Sequence, residues 1–219
     1  MSIATAIQQI DTQIAGRATL VAVTKTKPVP MLQEAYEAGC RHFGENRVQE
    51  LIEKQPLLPA DVRWHQIGHL QTNKVKYIAP FISLIESVDS EKLLVEIDKQ
   101  AQRHNRVIDC LLQVFIADEE TKFGFAPSEV IDLLQAPGLD DLTNIRIVGL
   151  MGIATNTDDE AQVREEFREL KQLFDALRPI ERPNVALTEL SMGMSSDYLI
   201  ALEEGSTMVR VGSAIFGQR

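Results

Sequence analysis

The chain has 219 residues, 44% of them hydrophobic, and a formal net charge of -10. That is enough apolar material for one large core or two small ones, and the acidic field argues against nucleic acid or an anionic membrane as the principal partner. Cys40 and Cys110 stand far apart with no other cysteine near either, so neither a zinc cluster nor a disulfide framework is expected, and a reducing compartment fits.

The N-terminal stretch MSIATAIQQIDTQIAG has no basic region leading into an unbroken apolar segment. No later window nears the roughly 20 apolar residues that span a bilayer. A cytoplasmic protein, complete at its first Met, is therefore expected. A leading helix is predicted over 3–15, after which short β-rich runs alternate with longer stretches of helical spacing. The β-rich runs are 19–26, 42–46, 63–68, 83–89, 108–115, 145–153, 187–193 and 208–212. Between them lie helical segments such as MLQEAYEAG, VQELIEKQ, SEKLLVEIDKQAQRHN and DEAQVREEFRELKQLFDALR. Ser90, Pro127 and Ser128 stand where helices should start, and Gly39 and Gly205 where they should stop. Eight strands alternating with helices, joined by short loops and divided by no linker, predict a single α/β domain over 1–219, a (β/α)8 barrel. An open doubly wound sheet is the alternative topology.

In such a barrel, function collects at the C-terminal ends of the strands. The first run, LVAVTKTKP, ends in Lys25 and Lys27. A lysine at a strand end, partly desolvated and near other cations, has its ammonium form disfavoured and becomes a nucleophile toward an aldehyde. The plainer reading is two ordinary charges where a strand leaves the core. Strand alternation puts both on one side and does not choose between them; Lys25 is nearer the apolar run. At the other end of the chain, GSTMVRVGSAIFG carries Arg210, Gly212 and Ser213 into a helix start, where free N–H groups suit an anion. LSMGMSSD at 190–197 is a second small-residue loop ahead of a helix, and the loops after the seventh and eighth strands of such barrels frequently form a phosphate site. His65, beside Trp64, is either a ligand contact or a satisfied core edge, and Asn46 either bonds a ligand or caps the next helix. His42, His69 and His104 have no metal-ligand spacing, so no metal is expected. The acidic stretch DDEAQVREEFREL reads as a solvated helix face.

Together, AVTKTKP, FGENRVQE, WHQIGHLQTNK, LMGIA, LSMGMSSD and GSTMVRVGSAIFG closely resemble the pyridoxal phosphate homeostasis protein family, in family order and across nearly the whole chain. The resemblance implies a barrel like the N-terminal domain of alanine racemase, holding pyridoxal 5'-phosphate as an internal aldimine on Lys25. It further implies Arg210 at the pyridine nitrogen, with Ser191, Gly212 and Ser213, joined by Met192 and Ser195, at the phosphate. Asn46 and His65 lie in matching motifs near the cofactor. An arginine cannot give up its proton, so it would keep the ring nitrogen unprotonated and the ring a weak electron sink. Racemisation needs a base on each face. In alanine racemase the second base comes from a further β-domain and a partner subunit, for which no room is expected here, and none of Tyr36, Tyr77 and Tyr198 stands in for it. The resemblance thus implies a non-enzymatic monomer that buffers or delivers pyridoxal phosphate, with transient contact to cofactor-requiring apoenzymes. A weak amino-acid racemase, or a Schiff-base aldolase using Lys25 without a cofactor, is the competing expectation.

Overall fold

The structure, a computed structural model, describes residues 2–117 and 123–217. Its eight strands are β1 (Thr19–Val23), β2 (His42–Glu45), β3 (Arg63–Gln66), β4 (Leu84–Val88), β5 (Ile108–Val114), β6 (Ile145–Gly152), β7 (Val185–Ser191) and β8 (Met208–Val211). They pair in parallel in sequence order, and β1 pairs with β8, so the sheet closes into a barrel rather than opening as a doubly wound sheet. The helices are α1 (Ile3–Ile14), α2 (Val29–Glu37), α3 (Val48–Lys54), α4 (Val75–Ile78), α5 (Glu91–Arg103), α6 (Pro127–Gln135), α7 (Glu160–Leu177), α8 (Tyr198–Glu203) and α9 (Ser213–Phe216). None among the described residues is long and apolar enough to cross a membrane.

The expected helix signals act as chemistry requires. Ser90 Oγ accepts the Leu93 N–H ahead of α5, and Glu129 reaches back to the Ala126 N–H at the Pro127 start of α6. Gly39 and Gly205 take positive φ after α2 and α8. The leading helix ends one residue early, with Ala15 left-handed behind it.

Strand alternation sorts the side chains into two cores. One face packs Ala22, Phe43, Trp64, Ile85, Cys110 and Val209 against the helices. The other face points into the barrel, where Val21, Leu84, Leu111, Val148, Met151 and Met208 form a separate buried cluster. Val148 and Met151 have opposite parity but share this cluster, because the β6–β7 register slips between Ile147 and Gly149. Two residues beyond Leu84 and Met208 on the same strands stand Glu86 and Arg210, both buried, so a polar layer sits on the apolar floor. The first strand is shorter than the predicted run 19–26: pairing stops at Val23, where the apolar residues end, and Lys25 and Thr26 form a turn with Thr26 at φ 63.

Candidate functional site

A cavity of about 350 Å³ opens at the C-terminal end of the barrel. Lys25, Asn46, Ser195, Arg210, Gly212 and Ser213 line it together, with Val23, Ile67 and Ile153 as apolar wall. Of the residues singled out in the sequence, the structure places three elsewhere. His65 and Ser191 lie below the cavity in the polar layer, and Met192, fully buried, packs in the outer core.

The polar layer is one hydrogen-bonded chain. Arg210 Nη2 donates to the Gly152 carbonyl at 2.8 Å, and its Nη1 donates to Ser191 Oγ and lies 3.7 Å from Glu86. Ser191 Oγ donates to Glu86 Oε2 at 2.6 Å, and His65 Nδ1 donates to the other carboxylate oxygen at 2.7 Å. The far nitrogen of His65 is hydrogen-bonded to His42 Nδ1 at 2.9 Å. Burial pushes the Glu86 carboxyl up, but the bond from His65, the His65 and Arg210 charges and the bond from Ser191 bring it below the ordinary value. Burial lowers the Arg210 guanidinium, opposed by Glu86 and Asp197, yet arginine stays charged at any accessible pH. Burial, then electrostatic repulsion from His65 and Arg63, push His42 down to about 4 against the pull of Glu86.

The loops after β7 and β8 meet, as the small-residue pattern suggested. Ser195 Oγ accepts the Gly212 N–H at 3.0 Å and the Ala214 N–H at 3.4 Å, so a hydroxyl and backbone donors converge on one wall. Gly193 permits this path: its φ is +94, and a Cβ there would come within 2.5 Å of Ala201 Cβ. Asp197 holds the loop by accepting the Met194 N–H. Asn46 is set from below, where Gln66 Nε2 donates to its carbonyl at 3.0 Å, and Gly68 is bare because a Cβ would lie 2.6 Å from that same oxygen.

The two lysines differ. Lys27 Nζ donates to the carbonyls of Phe216 and Gly217 at the end of α9. Lys25 faces the cavity, and no described residue bonds its amine. Sequence reasoning missed Glu86, whose only local signal is a carboxylate inside the apolar run LIESV, and a buried group of Thr24, Glu45 and Lys54 with Glu50 at its edge.

Comparison with known proteins places this geometry. The family model "Alanine racemase, N-terminal domain" matches residues 2–219. A pyridoxal phosphate homeostasis protein from Aquifex aeolicus is 43% identical over 203 residues, covering 92% of this chain and 87% of its own. The chain belongs to the pyridoxal phosphate homeostasis protein family. PipY of Synechococcus elongatus solved without PLP superposes with a TM-score of 0.92 at 38% identity, covering 99% of this chain and 100% of its own. PipY with PLP bound superposes at 0.87 and 37% identity, with the same coverage. Outside the family, alanine racemase from Streptomyces lavendulae shares the fold alone, with a TM-score of 0.81 at 19% identity over 99% of this chain and 57% of its own.

Proposed function

We propose that the protein holds pyridoxal 5'-phosphate in this cavity through a Schiff base on Lys25 and serves the cell's balance of that cofactor, affecting amino-acid and keto-acid levels indirectly. One observation carries the proposal: a lysine amine that no described residue bonds, a buried arginine and the meeting loops at Ser195 and Gly212 share one small cavity. The donor set fits an aldehyde that bears an anionic group and a ring nitrogen. Lys25 supplies the amine, Arg210 a fixed cation backed by Glu86, and Ser195, Gly212 and Ser213 the donors for a phosphate. When bound, pyridoxal phosphate would supply a carbonyl for amines and a conjugated ring that draws electrons. Arg210, which cannot release its proton, would hold that ring's nitrogen unprotonated and limit the draw.

A storage or delivery role, rather than catalysis, is supported by what lines the cavity. Among the described lining residues, Lys25 and Arg210 are the only ionisable groups, and an arginine does not act as a base. Relatives such as the Aquifex aeolicus protein are named for homeostasis rather than for a reaction. Action as a monomer, with brief contact to apoenzymes that receive the cofactor, belongs to the same proposal.

Purified protein is expected to show the visible absorbance of a Schiff base and, after borohydride, label on the Lys25 peptide alone. Lys25→Ala is expected to lose both, and retention of the same absorbance and labelled peptide would sink the assignment. Exchange of amino-acid Cα hydrogen in deuterated water is expected to stay at the level of free cofactor; turnover well above that would make the protein a racemase.

A further inference from the structure

The buried charge cluster beside β1 has a use that the cavity itself does not explain. Thr26 sits at φ 63, a left-handed conformation that a β-branched residue holds only when its surroundings enforce it. The Thr26 N–H donates to Glu50 Oε2 at 2.7 Å. Lys54 Nζ, from the end of α3, donates to the Thr24 carbonyl at 2.8 Å, to Glu50 Oε2 at 2.8 Å and to Glu45 Oε1 at 2.6 Å. Thr24 closes the frame, with its hydroxyl on Glu45 at 2.6 Å and its N–H on the Gly44 carbonyl at 3.0 Å.

The Thr24 carbonyl belongs to the rigid peptide plane on one side of the Lys25 Cα, and the Thr26 N–H to the plane on the other. Lys54 anchors the first plane and Glu50 the second, so Lys25 is left little freedom in φ or ψ. Lys54 is 7% exposed and Glu45 is fully buried, and placing such charges out of water is a poor route to stability. A positional role accounts for them better. We propose that Glu50 and Lys54 are positioning residues that lock the backbone at Lys25, so that its amine meets an aldehyde-bearing ligand in one orientation. The proposal rests on Lys25 being the Schiff-base lysine. In that condensation the neutral amine nitrogen forms a C=N bond to the aldehyde carbon, and the carbonyl oxygen leaves as water with both amine hydrogens. Preset geometry lowers the entropy lost in reaching that arrangement.

The test adds pyridoxal 5'-phosphate to the full chain stripped of cofactor and traps the Schiff base with borohydride at short times. Label on the Lys25 peptide is counted by mass spectrometry, and thermal melting is followed without cofactor. Glu50→Ala is expected to slow labelling about tenfold, the worth of one charge-assisted hydrogen bond, with melting lowered by only a few degrees. Glu50→Gln, which still offers an oxygen to the Thr26 N–H, is expected to recover most of the rate. Adding Thr26→Gly to Glu50→Ala should recover at least half of it, since glycine takes the left-handed turn without enforcement. Labelling of Glu50→Ala within twofold of the unchanged rate would overturn the proposal, as would a fall that tracks melting and is rescued by neither change. Should Glu50→Ala fail to fold, Thr26→Gly with native Glu50 decides: a rate within twofold supports the lock, and a tenfold loss overturns it. No label on Lys25 in the unchanged protein would instead overturn the lysine's assignment, and the lock with it.

Discussion

Arg210 keeps a full charge at 4% exposure because its surroundings were assembled from four other strands: Glu86 from β4, Ser191 from β7, the Gly152 carbonyl from β6 and, through Glu86, His65 from β3. Breaking a buried pair by removing one partner is costly, since the other charge stays behind without compensation. Glu86→Ala is therefore expected to destabilise the cofactor-free protein by about 3 kcal/mol in urea unfolding, and Glu86→Gln by less, because the amide still serves His65 or Ser191. At this scale the sequence was legible where a residue's place depends on its position along a strand. Lys25, Asn46, Arg210 and Gly212 stand where barrel strands end. It was not legible where the role depends on a partner far along the chain. Nothing near Glu86 announces His65 or Arg210, and the equivalence of Lys25 and Lys27 under strand parity failed because a left-handed turn at Thr26 interrupts the strand.

The strands and helices themselves followed from pattern, since eight apolar runs alternating with amphipathic segments leave few other closures. Their ends and registers did not, because both are settled across the sheet. The β6–β7 pair shows why. Pairing runs Ile147 to Val185 and then resumes at Gly149 with Glu189, and this slip brings the Glu189 carbonyl into the space a side chain at 149 would fill. A Cβ on Gly149 would lie 1.7 Å from that oxygen, which belongs to backbone and has no flexible end to yield. Gly149→Ala is expected to cost at least about 3 kcal/mol or to leave the protein insoluble, as read by expression and thermal melting, whereas Gly138→Ala, with open space around it, should be nearly silent. Helix α3 was likewise found from its spacing, but nothing in VQELIEKQ singles out its inward charges, Glu50 and Lys54, whose role depends on the turn they reach.

For the molecule as a whole, the polar layer makes stability depend on pH in a definite direction. His42 ionises near about 4 in the fold and near its ordinary value of about 6.5 when unfolded, so between these values the unfolded chain binds the extra proton. Stability therefore rises with pH through that window and is lost on acidification, by on the order of 2–3 kcal/mol from this group. Glu86 acts the same way at lower pH: its contribution is present above the unfolded carboxyl value and disappears as pH falls through its depressed folded one. Urea midpoints measured from pH 7 to pH about 4 should fall steadily, and His42→Gln should flatten the slope above pH about 4.5. The seam that closes the barrel adds a constraint of timing. Val21 in β1 lies beside Arg210 in β8, and Lys27 is tied to Phe216 and Gly217, so the seam brings together Lys25 and Arg210, which are far apart along the chain. A chain emerging from the ribosome exposes Lys25 long before Arg210 exists to be set opposite it. A cofactor held as the finished site would hold it can therefore load only once β8 has been made, and the same ligand would act as a clasp across the β1–β8 seam.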